Sequence, residues 1–311
     1  MPRIVTVTLN PGIDTSCRVP QVMAEHKLRC SEPVYEPGGG GINVSRAIRN
    51  LGGESLALFP AGRYFGTMLK GLLDEQGIDY RHVEIDGQTR ENLIVTEETS
   101  GRQYRFGMPG PRVDERECEA VLGLLDGLEE QPLYIVGSGS LPPGAPPDFY
   151  AGLGRKASGL GARYILDTAG EALCRAAEFP LHLVKPNRRE LSQLSGSNVL
   201  EEDDLADAAR RMVHKCDISV VVVSLGAGGA MLVTRELCRR IHAPSVKTIS
   251  KVGAGDSMTA GIVLGLTRGL DLLDAAMFGV AAGTAAVMTP GSQLCRKDDT
   301  ERIFEKIRSQ E

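Results

Sequence analysis

Residues 205–225 read LADAARRMVHKCDISVVVVSL, and this stretch decides the fold class. In its first half, Leu205, Ala209, Met212, Val213 and Cys216 recur on the spacing of one helix face. In its second half, residues 218–225 form a nearly continuous β-branched run. That is the pattern of a strand buried on both sides of a sheet, and strands of that kind lie parallel with helices covering them. A helix feeding such a strand is the repeating unit of an alternating α/β chain.

Outward from there the rhythm persists. Helix 113–129 precedes strand 133–136, helix 147–160 precedes strand 164–167, and strand 182–185 precedes helix 190–194. Strands 230–233 and 237–241 read as a hairpin, followed by helices 255–268, 272–288 and 298–308. The middle one is apolar almost all round and so is expected to be buried. Towards the N-terminus, strand 5–9 ends at Asn10-Pro11-Gly12. Four glycines, Gly38, Gly39, Gly40 and Gly41, introduce a helix marked by Val44, Ala47, Ile48 and Leu51. Strand 56–60 and a helix through Phe65, Leu69 and Leu73 follow, ended at Gly77. Two segments, 14–35 and 90–106, have strand-like pieces without helical period, and are expected to form a small separate sheet. The expectation is one domain over residues 1–311: a doubly wound, mostly parallel α/β sheet flanked by helices, with a small β-sheet lid.

Composition narrows the function. The chain has 311 residues, 42% hydrophobic and 24% charged, with a net charge of −5 and its Lys and Arg scattered. That is no footprint for nucleic acid, so an anionic ligand must be met by local basic residues. The seven Cys include no CxxC pair and the five His no HExxH; reduced thiols are expected rather than disulfides or zinc. The opening MPRIVTVTLNPGIDTS does not read as a signal peptide. The apolar stretch 275–288 is too short to span a bilayer. A soluble cytoplasmic protein without a membrane partner is expected.

Four motifs carry chemistry. Val252-Gly253-Ala254-Gly255-Asp256-Ser257 leads into a helix. Its small residues leave backbone N–H groups open at a helix N-terminus, where an anion is favoured. Asp256 there is either a helix cap or a general base beside an anion hole. The glycines before Ile42-Asn43-Val44 permit close backbone approach, and Asn43 can both donate to and accept from a hydroxyl. The alternative is a flexible loop. Lys185-Pro186-Asn187-Arg188-Arg189-Glu190 follows a strand, where open α/β sheets bind ligands. Asn187 and Glu190 share one helix face, suited to a hydrated Mg²⁺ or, equally, to a plain helix start. Ser224-Leu225-Gly226-Ala227-Gly228-Gly229 also follows a strand and resembles a nucleotide-approach loop. Neither GxGxxG nor GxxxxGK[ST] occurs.

Together, in order and spacing, EPGGGGINVSRAIRNLGG, KPNRRE and VGAGDS resemble the ribokinase-like (PfkB) carbohydrate kinases, essentially from end to end. Further shared pieces are Lys27-Leu28-Arg29-Cys30, Thr89-Arg90, Tyr104-Arg105-Phe106, the loop from Gly139 to Gly144, and Phe278-Gly279-Val280-Ala281-Ala282-Gly283. The resemblance implies phosphorylation by ATP of fructose 6-phosphate at its C1 hydroxyl. Asp256 would be the base, with Gly253, Ala254 and Gly255 as anion hole and Lys27 near the transferred group. Asp14, Gly39, Gly40 and Asn43 would hold the sugar, with Arg90, Arg105 and Ser140 fixing it and its phosphate. Lys185, Asn187, Ser224, Gly226, Ala227, Gly228 and Gly229 would contact ATP, with Glu190 supporting Mg²⁺ through water. Ser250, Val252, Ala286 and Gly291 match the positions that hold K⁺. The two irregular segments would be the lid, and lids of two subunits would pair in a homodimer. Two departures stand out: Lys251 where Thr is usual, and Gln293 in place of Arg. Lys251 either points to solvent or brings its ammonium near enough to weaken the need for K⁺. Tagatose 6-phosphate and fructose 1-phosphate kinases share the same core. A non-catalytic sugar-phosphate sensor and a nicotinamide oxidoreductase are the readings from other classes.

Overall fold

The computed structural model describes residues 4–196 and 202–310. The chain runs through β1 (Ile4–Val7), β2 (Gly12–Val19), β3 (Val34–Gly38), α1 (Gly40–Asn50), β4 (Leu56–Ala61), α2 (Arg63–Glu75), β5 (Asp79–Glu84), β6 (Arg90–Glu97), β7 (Gln103–Phe106) and α3 (Glu115–Gly123). It continues through β8 (Tyr134–Ser138), α4 (Phe149–Gly159), β9 (Arg163–Asp167), α5 (Gly170–Ala176), β10 (Leu181–Val184), α6 (Arg188–Ser195), α7 (Glu202–Lys215), β11 (Ile218–Ser224), β12 (Ala230–Val233), β13 (Cys238–Ile241), α8 (Ala254–Thr267), α9 (Leu272–Ala286) and α10 (Lys297–Arg308).

Nine strands form one sheet in the order β13-β12-β11-β10-β9-β8-β1-β4-β5. All its pairings are parallel except those of β12 and β13, the expected hairpin, which run antiparallel at one edge. Residues alternate between two cores because successive side chains on a strand point to opposite faces. On one face Ile135, Leu166, Val184 and Val221 pack under α3, α4, α5 and α7. On the other, Val136, Ile165, Leu183 and Val222 meet Val44 and Ile48 of α1, Ile262 of α8 and the buried α9.

The chain builds outward from β1 to β4 and β5, then returns to add β8 on the other side of β1. The crevice between β1 and β8 is therefore the topological switch point, where such sheets bind ligands beyond their strand ends. The two irregular segments form a separate four-stranded sheet, β3-β2-β6-β7.

Differences from expectation have local causes. Helix 113–129 starts at an Asp114–Glu117 capping box and is helical only to Gly123, with turns beyond it. Its glycines at 123 and 127 make continuation unfavourable. Helix α5 and strand β5 were not expected. The first is seven residues long, and the second (DYRHVE) is a charged edge strand that reads as a loop.

Candidate active site

Asp256 stands in the first turn of α8, partly buried in the floor of a cavity of about 570 Å³. Ser138 at the end of β8, Gly139 and Ser140 just after it, Asp167 at the end of β9 and Glu190 of α6 line the same cavity. Gly253, the N-cap of α8, has φ +71°, and a Cβ there would lie 2.2 Å from Leu294 Cδ2. Only glycine adopts that backbone without strain. Ala254 and Gly255 follow as the first helical residues, with N–H groups that have no carbonyl of the preceding turn to bond.

Helix α1 brings Asn43 to this point, buried, with its Nδ2 donating to Asp256 Oδ2 at 2.9 Å. The preceding glycines are required mainly by close packing. A Cβ at Gly40 would lie 2.4 Å from Ser138 Oγ, at Gly41 2.5 Å from Thr8 Oγ1, and at Gly38 2.7 Å from Asp14 Oδ1. Gly39, with φ +110°, and Gly40 are the two left partly open.

Lys185, just past β10, is buried and paired with Asp167 at 3.1 Å, while Thr259 of α8 donates to the other Asp167 oxygen at 2.9 Å. Lys185 Nζ lies 3.5 Å from where a Gly255 Cβ would stand, so the glycine leaves the ammonium at the helix N-terminus. Withdrawal from water, then the charge of Asp167, pushes the Asp256 carboxyl up to about 7, against the pull of Asn43 and Lys185. Burial alone would lower the Lys185 ammonium, but the Asp167 charge and hydrogen bond hold it above its usual value. A carboxyl near neutrality beside open N–H groups and a lysine is equipped to take a proton from a hydroxyl while an anion is held alongside.

The small sheet brings Asp14 of β2, buried and hydrogen-bonded by Asn92 Nδ2 at 2.8 Å. Its carboxyl is raised by burial and partly restored by Asn92. Arg90, at the head of β6, donates to the carbonyls of Asn10 at 3.0 Å and Met108 at 3.3 Å. Its Nε is buried and has no hydrogen-bond partner among the described residues. Asn10 Nδ2 reaches Ser140 Oγ at 3.2 Å. Lys27 and Arg105 are exposed and do not line the cavity.

Beyond the neighbouring strands, Asn187 and Glu190 form a reciprocal capping box at the start of α6. Both Glu190 oxygens accept from Asn187, one from its N–H at 2.8 Å and one from Nδ2 at 2.7 Å. That occupied carboxylate, raised chiefly by burial, suits a magnesium ion that keeps its waters. Among the described residues no three His, Cys, Asp or Glu side chains form a metal cage. Ser224 is bridged to Asn187, and Gly226, Ala227 and Gly228 make a 3-10 turn closed by Gly229.

Ser250 Oγ donates to the Gly291 carbonyl at 2.8 Å and accepts from Val252 N at 3.2 Å. The Ala286 carbonyl accepts from Thr289 Oγ1 at 2.8 Å. These neutral oxygens, next to the loop into α8, fit a large monovalent cation. Lys251 is exposed, as the solvent-pointing reading expected.

Asp167, which raises both Lys185 and Asp256, is not among the residues the sequence singles out. An acidic residue ending a predicted parallel strand was the available signal.

Comparison with known proteins follows the same lines. The profile of pfkB family carbohydrate kinases matches residues 3–299. The ATP-dependent 6-phosphofructokinase isozyme 2 of Escherichia coli is 44% identical over 305 residues, 98% of either chain. The Escherichia coli phosphofructokinase-2 structure in complex with potassium superposes with a TM-score of 0.94 at 44% identity, covering 99% of this chain and all of that one. Another, in complex with substrates and products, gives 0.94 at 43% identity over 98% and 99% of the two chains. The doubly wound α/β fold with its small second sheet and the family membership agree with the sequence reading.

Proposed function

The chain belongs to the pfkB family of carbohydrate kinases, and from that premise we propose that it uses ATP to phosphorylate fructose 6-phosphate at the C1 hydroxyl, giving fructose 1,6-bisphosphate and ADP. The observation that carries the reading is the Asp256 carboxyl, held near neutrality in the first turn of α8 and facing a cavity. Asp256 removes the hydroxyl proton. The N–H groups of Gly253, Ala254 and Gly255 and the Lys185 ammonium receive the charge on the transferred phosphoryl. Asp14, Gly39, Gly40 and Asn43 hold the sugar hydroxyls. Ser140 and Arg90 fix the sugar, and Arg105 and Lys27 join them at its phosphate when the small sheet acts as a lid.

ATP lies beyond β10 and β11 against Lys185, Asn187, Ser224, Gly226, Ala227, Gly228 and Gly229, with Glu190 holding Mg²⁺ through water. K⁺ sits among Ser250, Val252, Ala286 and Gly291, supported by the potassium complex of the Escherichia coli relative. The exposed Val34, Tyr35 and Phe106 of the small sheet support a homodimer formed lid to lid. No helix among the described residues is long and apolar enough to cross a membrane. We assign the enzyme to the cytoplasm, where MgATP is supplied.

The test is initial rates with MgATP and matched fructose 6-phosphate, fructose 1-phosphate, tagatose 6-phosphate and unphosphorylated fructose. Dominant kcat/KM on fructose 6-phosphate supports the assignment. Preference for tagatose 6-phosphate or fructose 1-phosphate keeps the chemistry and moves the substrate. No turnover on any, with ADP still bound, turns the reading to a sugar-phosphate sensor.

A further inference from the structure

Arg46 is a charged residue on α1 that nothing in the reaction scheme uses, yet it is 4% exposed. Burying a guanidinium is costly unless every donor is met. Here each of its three nitrogens has an acceptor, drawn from four parts of the chain. Nε donates to Gln76 Oε1 at 2.8 Å, at the end of α2. Nη1 donates to the carbonyls of Pro37 at 2.8 Å and Ser292 at 3.1 Å, and to Asn43 Oδ1 at 3.2 Å. Nη2 pairs with Glu36 Oε1 of β3 at 3.4 Å, and the other Glu36 oxygen accepts from Ser292 N and Oγ, each at 2.9 Å.

The contact with Asn43 has a directional consequence. A guanidinium has five donors and no acceptor, so the Asn43 amide must present its oxygen to Arg46. Its NH₂ is thereby turned to Asp256, where it donates to Oδ2. A donor to Asp256 favours the ionised carboxylate, the form that can take a proton. With the amide reversed, its oxygen would face Asp256 and favour the protonated acid, which cannot act as a base.

We propose that Arg46, anchored by Glu36, is a positioning residue for the phosphoryl transfer, holding the Asn43 amide in the one orientation that keeps Asp256 a competent base. The inference rests on Asp256 being the base. Besides Asn43, the charged groups around Asp256 are Asp167 from β9, Lys185 after β10, Asp14 from β2 and Arg46 itself from α1. Arg46 in turn faces Glu36, Asp14 and Asp256.

The experiment measures kcat and kcat/KM against pH for wild type, Arg46→Met, Arg46→Lys, Asn43→Ala and the double variant Asn43→Ala/Arg46→Met, with Asp256→Asn alongside. A hydrogen bond to a charged group is worth about 1.5–3 kcal/mol, so its reversal moves the acid limb up by about one to two pH units. Turnover at pH 7 then falls roughly tenfold, with KM for MgATP unchanged. Arg46→Lys, also donor-only, restores the wild-type limb. The decisive comparison is in the Asn43→Ala background, where no amide remains to orient and Arg46→Met moves the limb little further. The same shift with and without Asn43 means that Arg46 acts only through its charge, and overturns the proposal. So does an unmoved limb in Arg46→Met.

Since removing Arg46 alone strands the buried Glu36 charge, Glu36→Met/Arg46→Met provides a variant without an orphaned ion. It must show the same upward limb shift. Activity retained in Asp256→Asn would instead overturn the base assignment, whatever Arg46 does.

Discussion

Asp256→Asn should do two opposite things, and both follow from the same burial. The variant keeps an oxygen to accept from Asn43 Nδ2 but cannot take a proton, so turnover should fall about 10²–10⁴-fold with nucleotide binding retained. At the same time the protein should become more stable above neutrality. The carboxyl titrates near 7 in the fold against 3.8 in its ordinary state. Between those values the folded chain binds more protons than the unfolded one, so stability falls as pH rises. At 1.36 kcal/mol per unit the full difference is about 4 kcal/mol. The group opens onto the cavity, and water there screens it, so about half should survive. Asparagine removes the ionisation, giving about 2 kcal/mol and a Tm about 3 °C higher at pH 8 for a chain of this length. Near pH 4 the gain should vanish. Thermal melts of both proteins from pH 4 to 9, beside MgATP-dependent rates, measure this. Wild-type turnover in the variant refutes the base assignment. An inactive variant with no pH-dependent gain refutes the claim that burial raises the carboxyl.

Three further outcomes follow from single contacts. Lys185→Met should lower turnover by about 10²–10³ and cost about 1–3 kcal/mol in denaturant melts, since it leaves the half-buried Asp167 without its ion-pair partner and with only Thr259 bonded to it. Glu190→Gln should separate structure from chemistry, because Gln also completes a capping box. Its Tm should stay put while KM for MgATP rises about tenfold. Gly253→Ala forces a side chain to φ +71° and towards the fully buried Leu294. A loss of about 2 kcal/mol or more together with loss of turnover is expected, and a fully active, equally stable variant would show that the turn can shift.

The α/β sheet was legible because its layers leave local patterns: a 3.6 period on α1 and α7, a continuous apolar run on β11. The small sheet was legible only as a break in that rhythm, because β2 pairs with β6 78 positions later in register, Gly12 with Arg90, and no local pattern encodes such a partner. The glycine-rich turns before α1 and α8 were legible as turn chemistry. Their packing reasons, Ser138 against Gly40 and Leu294 against Gly253, were not. Asn187 and Glu190 carried two readings in sequence, and the capping box satisfies the structural one while leaving the carboxylate in the cavity wall. Arg46, one helix turn from Asn43, reads as a solvated basic residue until Glu36, Gln76 and Ser292 are known to surround it.

The electrostatics of the cavity explain why Asp167 matters although it need not touch a substrate. Two carboxylates and one ammonium meet at the head of α8, and the ammonium pairs directly with only one of them. Lys185 neutralises Asp167 at contact distance and reaches Asp256 more weakly, so Asp256 is left with an uncompensated share of negative field. Were Lys185 to pair with Asp256 instead, the base would be held ionised but too weak to take a hydroxyl proton. Thr259 guards against that exchange by fixing the second Asp167 oxygen at 2.9 Å, which keeps the carboxylate turned to the lysine. The basicity of Asp256 is therefore set first by its burial and then adjusted by β9, the end of β10, α1 and the next turn of its own helix. The VGAGDS motif alone could not carry it.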